Sequence, residues 1–338
     1  MKLIVQIPCF NEARTLPLLF ERMPKAIDGI DCIEFLVLDD GSTDETAEVA
    51  VRLGVHHVVR VAGRNRRWLG RAFKMGADIA LQLGADILVN TDGDNQYPSE
   101  SIPLLVRPIL DGRADIVIGD RRPGTFAEFT FAKRCLQRAG NWTIRFLTGE
   151  SVPDAVSGFR AYSRTALLRL NVITNFTYTV DTLIQSYKKG LDVAWVEIAP
   201  NRKTRESRLI SSSLEKVQRS GFNILRLLAV YDPFRVFLIA AALFFVPASL
   251  LLGRFCYFFL FDHAQAAGHI QSVIVGGALL VISAVFAVFS IIGGLLSVNR
   301  MLLEDILFRL KSEDAERSAE RDAVPARMVV NRSRTGAK

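Results

Sequence analysis

Two carboxylates separated by one glycine are the residues of this sequence best placed to do chemistry. Asp92, Gly93 and Asp94 follow an apolar run, residues 87–89, that has the length of a buried strand. Loops at the carboxyl ends of strands are where open α/β sheets bind ligands. Divalent cations such as Mg²⁺ are commonly held by one or two carboxylates while substrate phosphates complete the coordination. The spacing fits such a cation, although an isolated pair of this kind is more often a simple turn.

The elements around this loop repeat in the order strand, polar loop, helix. Strand-like apolar runs at residues 3–7, 35–38, 58–61 and 87–89 are each followed by a polar loop and a helical pattern. Such alternation predicts a mostly parallel sheet with helices on its faces, whose polar loops gather along one edge. The residues expected together there are Asn11, Glu12, Asp39, Asp40, Arg64, Asp92 and Asp94. This mixture of carboxylates and cations suits a nucleoside diphosphate with its metal.

Composition indicates a membrane part and a negatively charged partner. Half of the 338 residues are hydrophobic, which is too many for a chain that is only soluble. The net charge of +7 suits nucleic acid, anionic lipid or phosphorylated substrates equally well, so the positions of the charges must decide. The cations cluster around the predicted phosphate loops and membrane segments, and nucleic acid is therefore not an expected partner. Four scattered cysteines indicate neither a disulfide framework nor a zinc site.

Five short motifs follow one another along the first two thirds of the chain. They run from Pro8 to Glu12, from Leu38 to Asp44, from Gly70 to Gly76, from Asp92 to Pro98 and from Ser157 to Arg160. Together they resemble family 2 glycosyltransferases, and among these the polyprenyl-phosphate sugar synthases. The resemblance covers about residues 1–230. It implies a GT-A fold, which is a Rossmann-like α/β domain, a nucleotide-sugar donor and a divalent metal, Mg²⁺ or Mn²⁺.

The same resemblance assigns roles to single residues. It places Asp92, Asp94 and Gln96 on the metal. Donor contacts fall to Pro8, Asn11, Glu12, Asp39, Asp40, Arg64, Gly93 and Arg202. Contacts to the acceptor phosphate fall to Arg121, Arg134, Arg138, Ser207 and Arg208. Asp154 joins Asp92 and Asp94 as the third catalytic residue, in the place of a general base, but a phosphate acceptor is already ionised near neutral pH, so we assign Asp154 to positioning.

Two basic segments allow more than one interpretation. The segment 126–147 suits a helix whose basic face, which includes Arg134 and Arg138, is either solvated or binds phosphate near a membrane. The segment 211–232 suits an amphipathic helix that lies at a lipid headgroup boundary or packs on the core of the domain.

Two long apolar runs predict membrane-spanning helices at about residues 234–260 and 271–298. Lysines and arginines are dense before the first run and after the second, so the positive-inside rule places both termini in the cytoplasm. The catalytic domain, residues 1–210, then faces the cytoplasm from the cell membrane. We expect the charged tail, residues 300–338, to be disordered.

These features predict a membrane-anchored enzyme that moves one sugar from a nucleoside-diphosphate donor to polyprenyl phosphate; by resemblance, the transfer inverts the anomeric centre. A processive polysaccharide synthase is the nearest alternative, but it would need a Gln-x-x-Arg-Trp motif and more spans, and the sole Arg-Trp pair is Arg67-Trp68. A non-catalytic membrane scaffold is disfavoured by the intact metal loop. A homo-oligomer is compatible with so small a pair of spans.

Overall fold

The computed structural model describes residues 1–61, 69–122, 142, 144–145, 148–150, 152–172, 178–201, 226, 229–261, 268 and 270–321, with backbone alone at 316 and 318–321. The chain divides into two compact units. The first comprises Met1–Ser211 with Ile306–Lys338, and the second comprises Ser212–Asp305. The first unit contains the sheet, and the second contains most of the long apolar helices.

A seven-stranded mixed sheet forms the centre of the first unit. Its strands are β1 (Lys2–Cys9), β2 (Cys32–Asp39), β3 (His57–Arg60), β4 (Ile87–Asn90), β5 (Ile116–Asp120), β6 (Arg160–Ser163) and β7 (Val193–Glu197). Their order is β3-β2-β1-β4-β6-β5-β7. Only β6 runs antiparallel to its neighbours, β4 and β5. The predicted mostly parallel sheet is confirmed, and β6 is an added strand that begins at the last residue of the fifth motif, Arg160.

Helices cover both faces of this sheet. They are α1 (Leu16–Glu21), α2 (Thr46–Arg52), α3 (Leu69–Gln82), α4 (Ile102–Leu110), α5 (Arg164–Arg169) and α6 (Thr179–Lys188). Successive residues of a strand point to opposite faces, so Leu3, Val5 and Ile7 enter one core with α1, α2 and α4 while Ile4 enters the other with α3, α5 and α6. Burial on both faces explains why the strands read as continuous apolar runs.

Among the described residues, two helices are long and apolar enough to cross a membrane: α7 (Pro233–Phe261) and α8 (Ile270–Arg321), whose residues from Ile306 onward belong to the first unit. They pack through small residues seven positions apart. Ser283 Oγ donates to the backbone oxygen of Ala241 at 2.9 Å, and Ser290 Oγ donates to that of Phe234 at 2.8 Å. A third small residue, Gly276, again seven positions away, lies against α7. Close approach through small and hydroxyl side chains is typical of helix pairs in membranes.

The prediction of a disordered tail from residue 300 is wrong for residues 300–321, which are the end of α8. Charged residues there form ion pairs along the helix, such as that of Arg300 with Glu304 at 2.8 Å. Lys311 Nζ donates to the backbone oxygen of Leu170 at 3.2 Å and lies 3.7 Å from the carboxylate of Asp78. Packing on the first unit therefore holds a segment whose composition alone indicated disorder. The predicted helices at 126–147 and 211–232 lie almost wholly outside the described residues.

Candidate active site

The metal loop, which we define as residues 92–97, leaves the carboxyl end of β4. Asp94 accepts two hydrogen bonds from Gln96, one from its backbone nitrogen at 3.1 Å and one from Nε2 at 2.7 Å. Gln96 thus fixes the orientation of the Asp94 carboxylate. The backbone at Asn95 is left-handed, with φ of 57°, a conformation that asparagine tolerates better than most residues. This turn brings Gln96 back onto Asp94.

The electrostatics of Asp92 favour a bound cation. Burial raises the pKa of Asp92 from its ordinary 3.8 to about 7, and the carboxylates of Asp94 and Glu12 add to the shift while Arg121 opposes it. Negative groups gathered in this way are stabilised by a divalent ion. Within the described part of the chain, no group of three or more His, Cys, Asp or Glu forms a metal cage. The two aspartates therefore fit a metal whose coordination substrate phosphates complete.

Arg121 lies beside this loop in a fixed orientation. Its Nε donates to Asp154 Oδ2 at 2.7 Å and its Nη2 donates to Asp154 Oδ1 at 3.0 Å, while Asp154 is fully buried. The guanidinium carbon lies 5.8 Å from the centroid of the Tyr97 ring. A carboxylate engaged on both oxygens acts as the counter-ion of Arg121, and this geometry suits positioning better than proton abstraction.

A network of buried hydrogen bonds lies next to the carboxylate of Asp92. Asn90 donates through Nδ2 to the backbone oxygen of Gly158 at 2.9 Å and to the hydroxyl of Tyr178 at 2.7 Å. The backbone nitrogen of Gly158 donates to the Tyr97 hydroxyl at 2.9 Å. A Cβ added at Gly158 would lie 3.1 Å from the Tyr178 hydroxyl, a tight contact, so the glycine leaves room for the hydroxyl to which Asn90 donates. Burial, with a contribution from Asp92, raises the pKa of Tyr97 to about 12, which keeps its hydroxyl neutral.

Arg160, the last residue of the fifth motif, stabilises the fold around the site. It is fully buried and donates to the backbone oxygens of Ser157, Ala155 and Thr179 at 2.7, 2.8 and 2.7 Å. These bonds tie the turn that carries Asp154 and Gly158 to the start of α6. The turn is thus held from inside the core, and Asp92 and Arg121 are aligned against it.

The loops after β1 and β2 meet at the predicted donor-binding residues. Asn11, with φ of 58°, accepts at Oδ1 from the backbone nitrogen of Thr43 at 2.7 Å, and its own nitrogen donates to Ser42 Oγ at 2.9 Å. Asp39 is fully buried and accepts from the backbone nitrogen of Ser42 at 2.7 Å and from Arg60 Nε at 2.9 Å. The structure thus brings the predicted donor residues Asn11 and Asp39 together, with Arg60 beside them.

The remaining donor residues connect this side to the metal loop. Thr15 Oγ1 lies 2.8 Å from the buried Glu12 carboxylate and 2.7 Å from the backbone oxygen of Gly93. A Cβ at Gly93 would lie 2.7 Å from Cys9 Sγ and 3.3 Å from Glu12 Cγ, so the close approach needs glycine. Asp40 follows Asp39 at the same edge, half-buried.

Six predicted site residues lie outside the described residues and stay predictions: Arg64, Arg134, Arg138, Arg202, Ser207 and Arg208. Sequence reasoning also missed two contributors. Arg60 is the register partner of Asp39 across β3 and β2, and a cation at the end of a neighbouring parallel strand was a usable signal. Asn201, which contacts the metal loop, carries no local signal.

Comparison with known proteins agrees with this geometry. The family model described as Glycosyl transferase family 2 matches residues 4–170. The chain is 29% identical over 223 residues to polyprenol monophosphomannose synthase of Mycolicibacterium smegmatis, covering 63% of this chain and 83% of that protein. It is 30% identical over 218 residues to undecaprenyl-phosphate mannosyltransferase of Micrococcus luteus, covering 62% of this chain and 88% of that protein.

A solved structure shares the fold. Glucosyl-3-phosphoglycerate synthase from Mycobacterium tuberculosis, in complex with Mn²⁺ and UDP-glucose, superposes with a TM-score of 0.51 and 25% identity over 68% of this chain and 78% of that one. The predicted GT-A fold is confirmed, and the catalytic unit is that of a glycosyltransferase. The chain belongs to glycosyl transferase family 2, and its resemblance to the polyprenyl-phosphate sugar synthases is confirmed.

Proposed function

We propose that this protein transfers one sugar from a nucleoside-diphosphate sugar to polyprenyl phosphate and inverts the anomeric centre. The observation that carries the proposal is the Arg121 guanidinium, held by Asp154 within electrostatic reach of Asp92. A fixed cation beside a two-carboxylate metal loop suits a reaction between two phosphate-bearing substrates. The names of the Mycolicibacterium smegmatis and Micrococcus luteus relatives, which specify polyprenol monophosphomannose and undecaprenyl phosphate, support the lipid acceptor.

On the donor side, Asn11, Asp39 and Arg60, which hydrogen bonds bring together, would contact the nucleoside. Asp92 and Asp94 would hold a divalent metal, and the Mn²⁺ and UDP-glucose in the Mycobacterium tuberculosis synthase support this assignment. When bound, such an ion neutralises charge that develops on the departing nucleoside diphosphate. Gln96 keeps the Asp94 carboxylate in one orientation, which lowers the cost of ordering it when substrate arrives.

On the acceptor side, Arg121 would bind the lipid phosphate, and Asp154 would keep its guanidinium aimed. The acceptor needs no strong base because its phosphate is ionised near neutral pH. The apolar helices α7 and α8 would anchor the catalytic unit at the cytoplasmic face of the membrane, with both termini on the same side. The lipid then meets the donor at the membrane surface.

The test uses the purified full-length protein in detergent with labelled GDP-mannose, UDP-glucose or UDP-N-acetylglucosamine. We expect one donor to give a lipid carrying a single sugar when polyprenyl phosphate is supplied, and no product with the polyprenol that lacks phosphate. Mass spectrometry of the lipid counts the sugars. Efficient transfer to free polyprenol, or extension to a polysaccharide, would exclude the proposed acceptor.

A further inference from the structure

The metal loop receives support from a residue far along the chain. The backbone nitrogen of Asn201 donates to the backbone oxygen of Gln96 at 3.0 Å. Its side-chain Nδ2 donates to the backbone oxygen of Asn95 at 3.1 Å and lies 3.4 Å from that of Tyr97. Three successive carbonyl groups of the loop therefore face one asparagine.

These contacts act on the groups that orient Asp94. The backbone nitrogen and the side chain of Gln96 both donate to the Asp94 carboxylate, and the Gln96 carbonyl faces Asn201. The preceding residue, Asn95, adopts a left-handed conformation that costs free energy unless its surroundings hold it. The Asn201 side chain donates to the carbonyl of Asn95 and so supports this turn.

Asn201 also stands at the junction with the basic segment. It is the residue immediately before Arg202, where the predicted donor and acceptor cations begin. The hydrogen bonds of Asn201 therefore fix the residue that precedes that segment to the metal loop.

We propose that Asn201 is a positioning residue that holds the metal loop in its cation-binding form, an inference that rests on the proposed function. Residues that orient metal ligands without touching the metal typically contribute about 10- to 100-fold to metal affinity. Removing the side-chain donor should therefore weaken Mn²⁺ binding by about tenfold. Activity should recover in part at high Mn²⁺ concentration, because the ligands themselves remain.

The experiment titrates Mn²⁺ alone into the purified full-length protein and follows free Mn²⁺ by electron paramagnetic resonance. Asn201→Ala removes the side-chain donor, and Asn201→Asp keeps the size while replacing the donor with an acceptor. Both should bind Mn²⁺ more weakly than the wild type, and Asn201→Asp keeps the test decisive if Asn201→Ala folds poorly. Thermal unfolding without metal measures the purely structural cost of each change.

Gln185→Ala is the matched control. Gln185 also holds a loop through its side-chain amide, donating to the Asn171 backbone oxygen at 2.6 Å and accepting from its nitrogen at 2.9 Å. That loop carries none of the site residues, so Gln185→Ala should lower thermal stability and leave Mn²⁺ affinity unchanged. Wild-type affinity in both Asn201 variants would overturn the positioning role. Absence of Mn²⁺ binding by the wild type would instead overturn the metal site on which the proposed function depends.

Discussion

Asp92 binds a proton more tightly than an ordinary aspartate, because burial and the neighbouring carboxylates raise its pKa to about 7. A metal ion binds the ionised form, so Mn²⁺ binding must displace that proton whenever the pH is below the raised pKa. We predict release of close to one proton per Mn²⁺ near pH 6 and little near pH 8, with affinity rising up to about pH 7 and then levelling. Calorimetric titration in buffers of different ionisation enthalpy measures the release. Equal apparent enthalpies in all buffers at pH 6 would contradict the prediction.

A substitution at Asp94 tests whether the negative charge of the metal loop is needed for turnover. Asp94→Asn keeps the size of the side chain and removes the charge, so turnover should fall by about two orders of magnitude or more, as for comparable electrostatic contributors. Folding, measured by circular dichroism, should survive. The matched control is Asp111→Asn, which changes a surface aspartate paired with Arg107 and Arg113. Near wild-type turnover in Asp94→Asn, or indifference of the wild type to excess EDTA, would remove the metal from the mechanism.

Asp154 and Arg121 should act as one unit. Asp154→Asn leaves Arg121 without its counter-ion, so we expect kcat/KM for polyprenyl phosphate to fall by about one to two decades, the value of a charge-assisted bond. Adding Arg121→Ala should lower kcat/KM little further, because Arg121 is no longer held in position once Asp154 has lost its charge. A steady-state double-mutant cycle measures this. Fully additive losses from the two single changes would instead show that Asp154 and Arg121 act independently.

Local spacing indicated the two aspartates of the proposed metal site, because an apolar strand followed by Asp-Gly-Asp is a pattern within a dozen residues. The pairing of Arg121 with Asp154, in contrast, joins residues that are 33 positions apart in the sequence. Arg160 ends the fifth motif, yet it is fully buried and bonded to backbone carbonyl groups. Such contacts depend on how distant segments pack, which periodicity does not encode.

At the level of elements, the parallel strands followed from the alternation of apolar runs and helical patterns, whereas β6 did not. Arg160–Ser163 is short and follows a turn directly, so it gives no separate strand pattern. Its pairing with β4 and β5 places the turn that carries Asp154 and Gly158 beside the metal loop.

The spacing of small residues between α7 and α8 gives a prediction about packing. Ser283 is buried against α7, whereas the next residue, Ala284, is exposed. Ser283→Leu should lower the free energy of unfolding by about 1–3 kcal/mol through overpacking and the loss of its hydrogen bond. Ala284→Leu, the matched control, should have little effect. Thermal unfolding in detergent compares them, and equal stability would show that the two helices do not pack in this register.

At the scale of the whole molecule, both apolar helices could be predicted from the sequence, because each apolar run exceeds the roughly 20 residues that a bilayer requires. The ordered end of α8 was not, because its charged composition is that of a solvated tail. Its order depends on contacts such as that of Lys311 with Leu170, which lies 141 residues earlier in the chain.

Orientation in the membrane can be tested on intact cells. The distribution of lysine and arginine predicts that residue 265, between the two spans, faces away from the cytoplasm while residue 313 faces the cytoplasm. Gln265→Cys should react with a membrane-impermeant maleimide in intact cells, and Glu313→Cys should react only after lysis. The parent protein, which contains Cys256, gives the background. The reverse pattern would place the catalytic unit on the wrong side for the proposed donor.

The contacts of Lys311 also bear on how the protein is made. Asp78 and Leu170 leave the ribosome long before Lys311, and both apolar helices are synthesised in between. Domains generally fold as units during synthesis, and the N-terminal part folds first. The sheet can therefore form early, but the surface around Asp78 and Leu170 stays uncovered until the end of α8 has been translated. The catalytic unit is therefore completed only after both apolar helices have been synthesised and can enter the membrane.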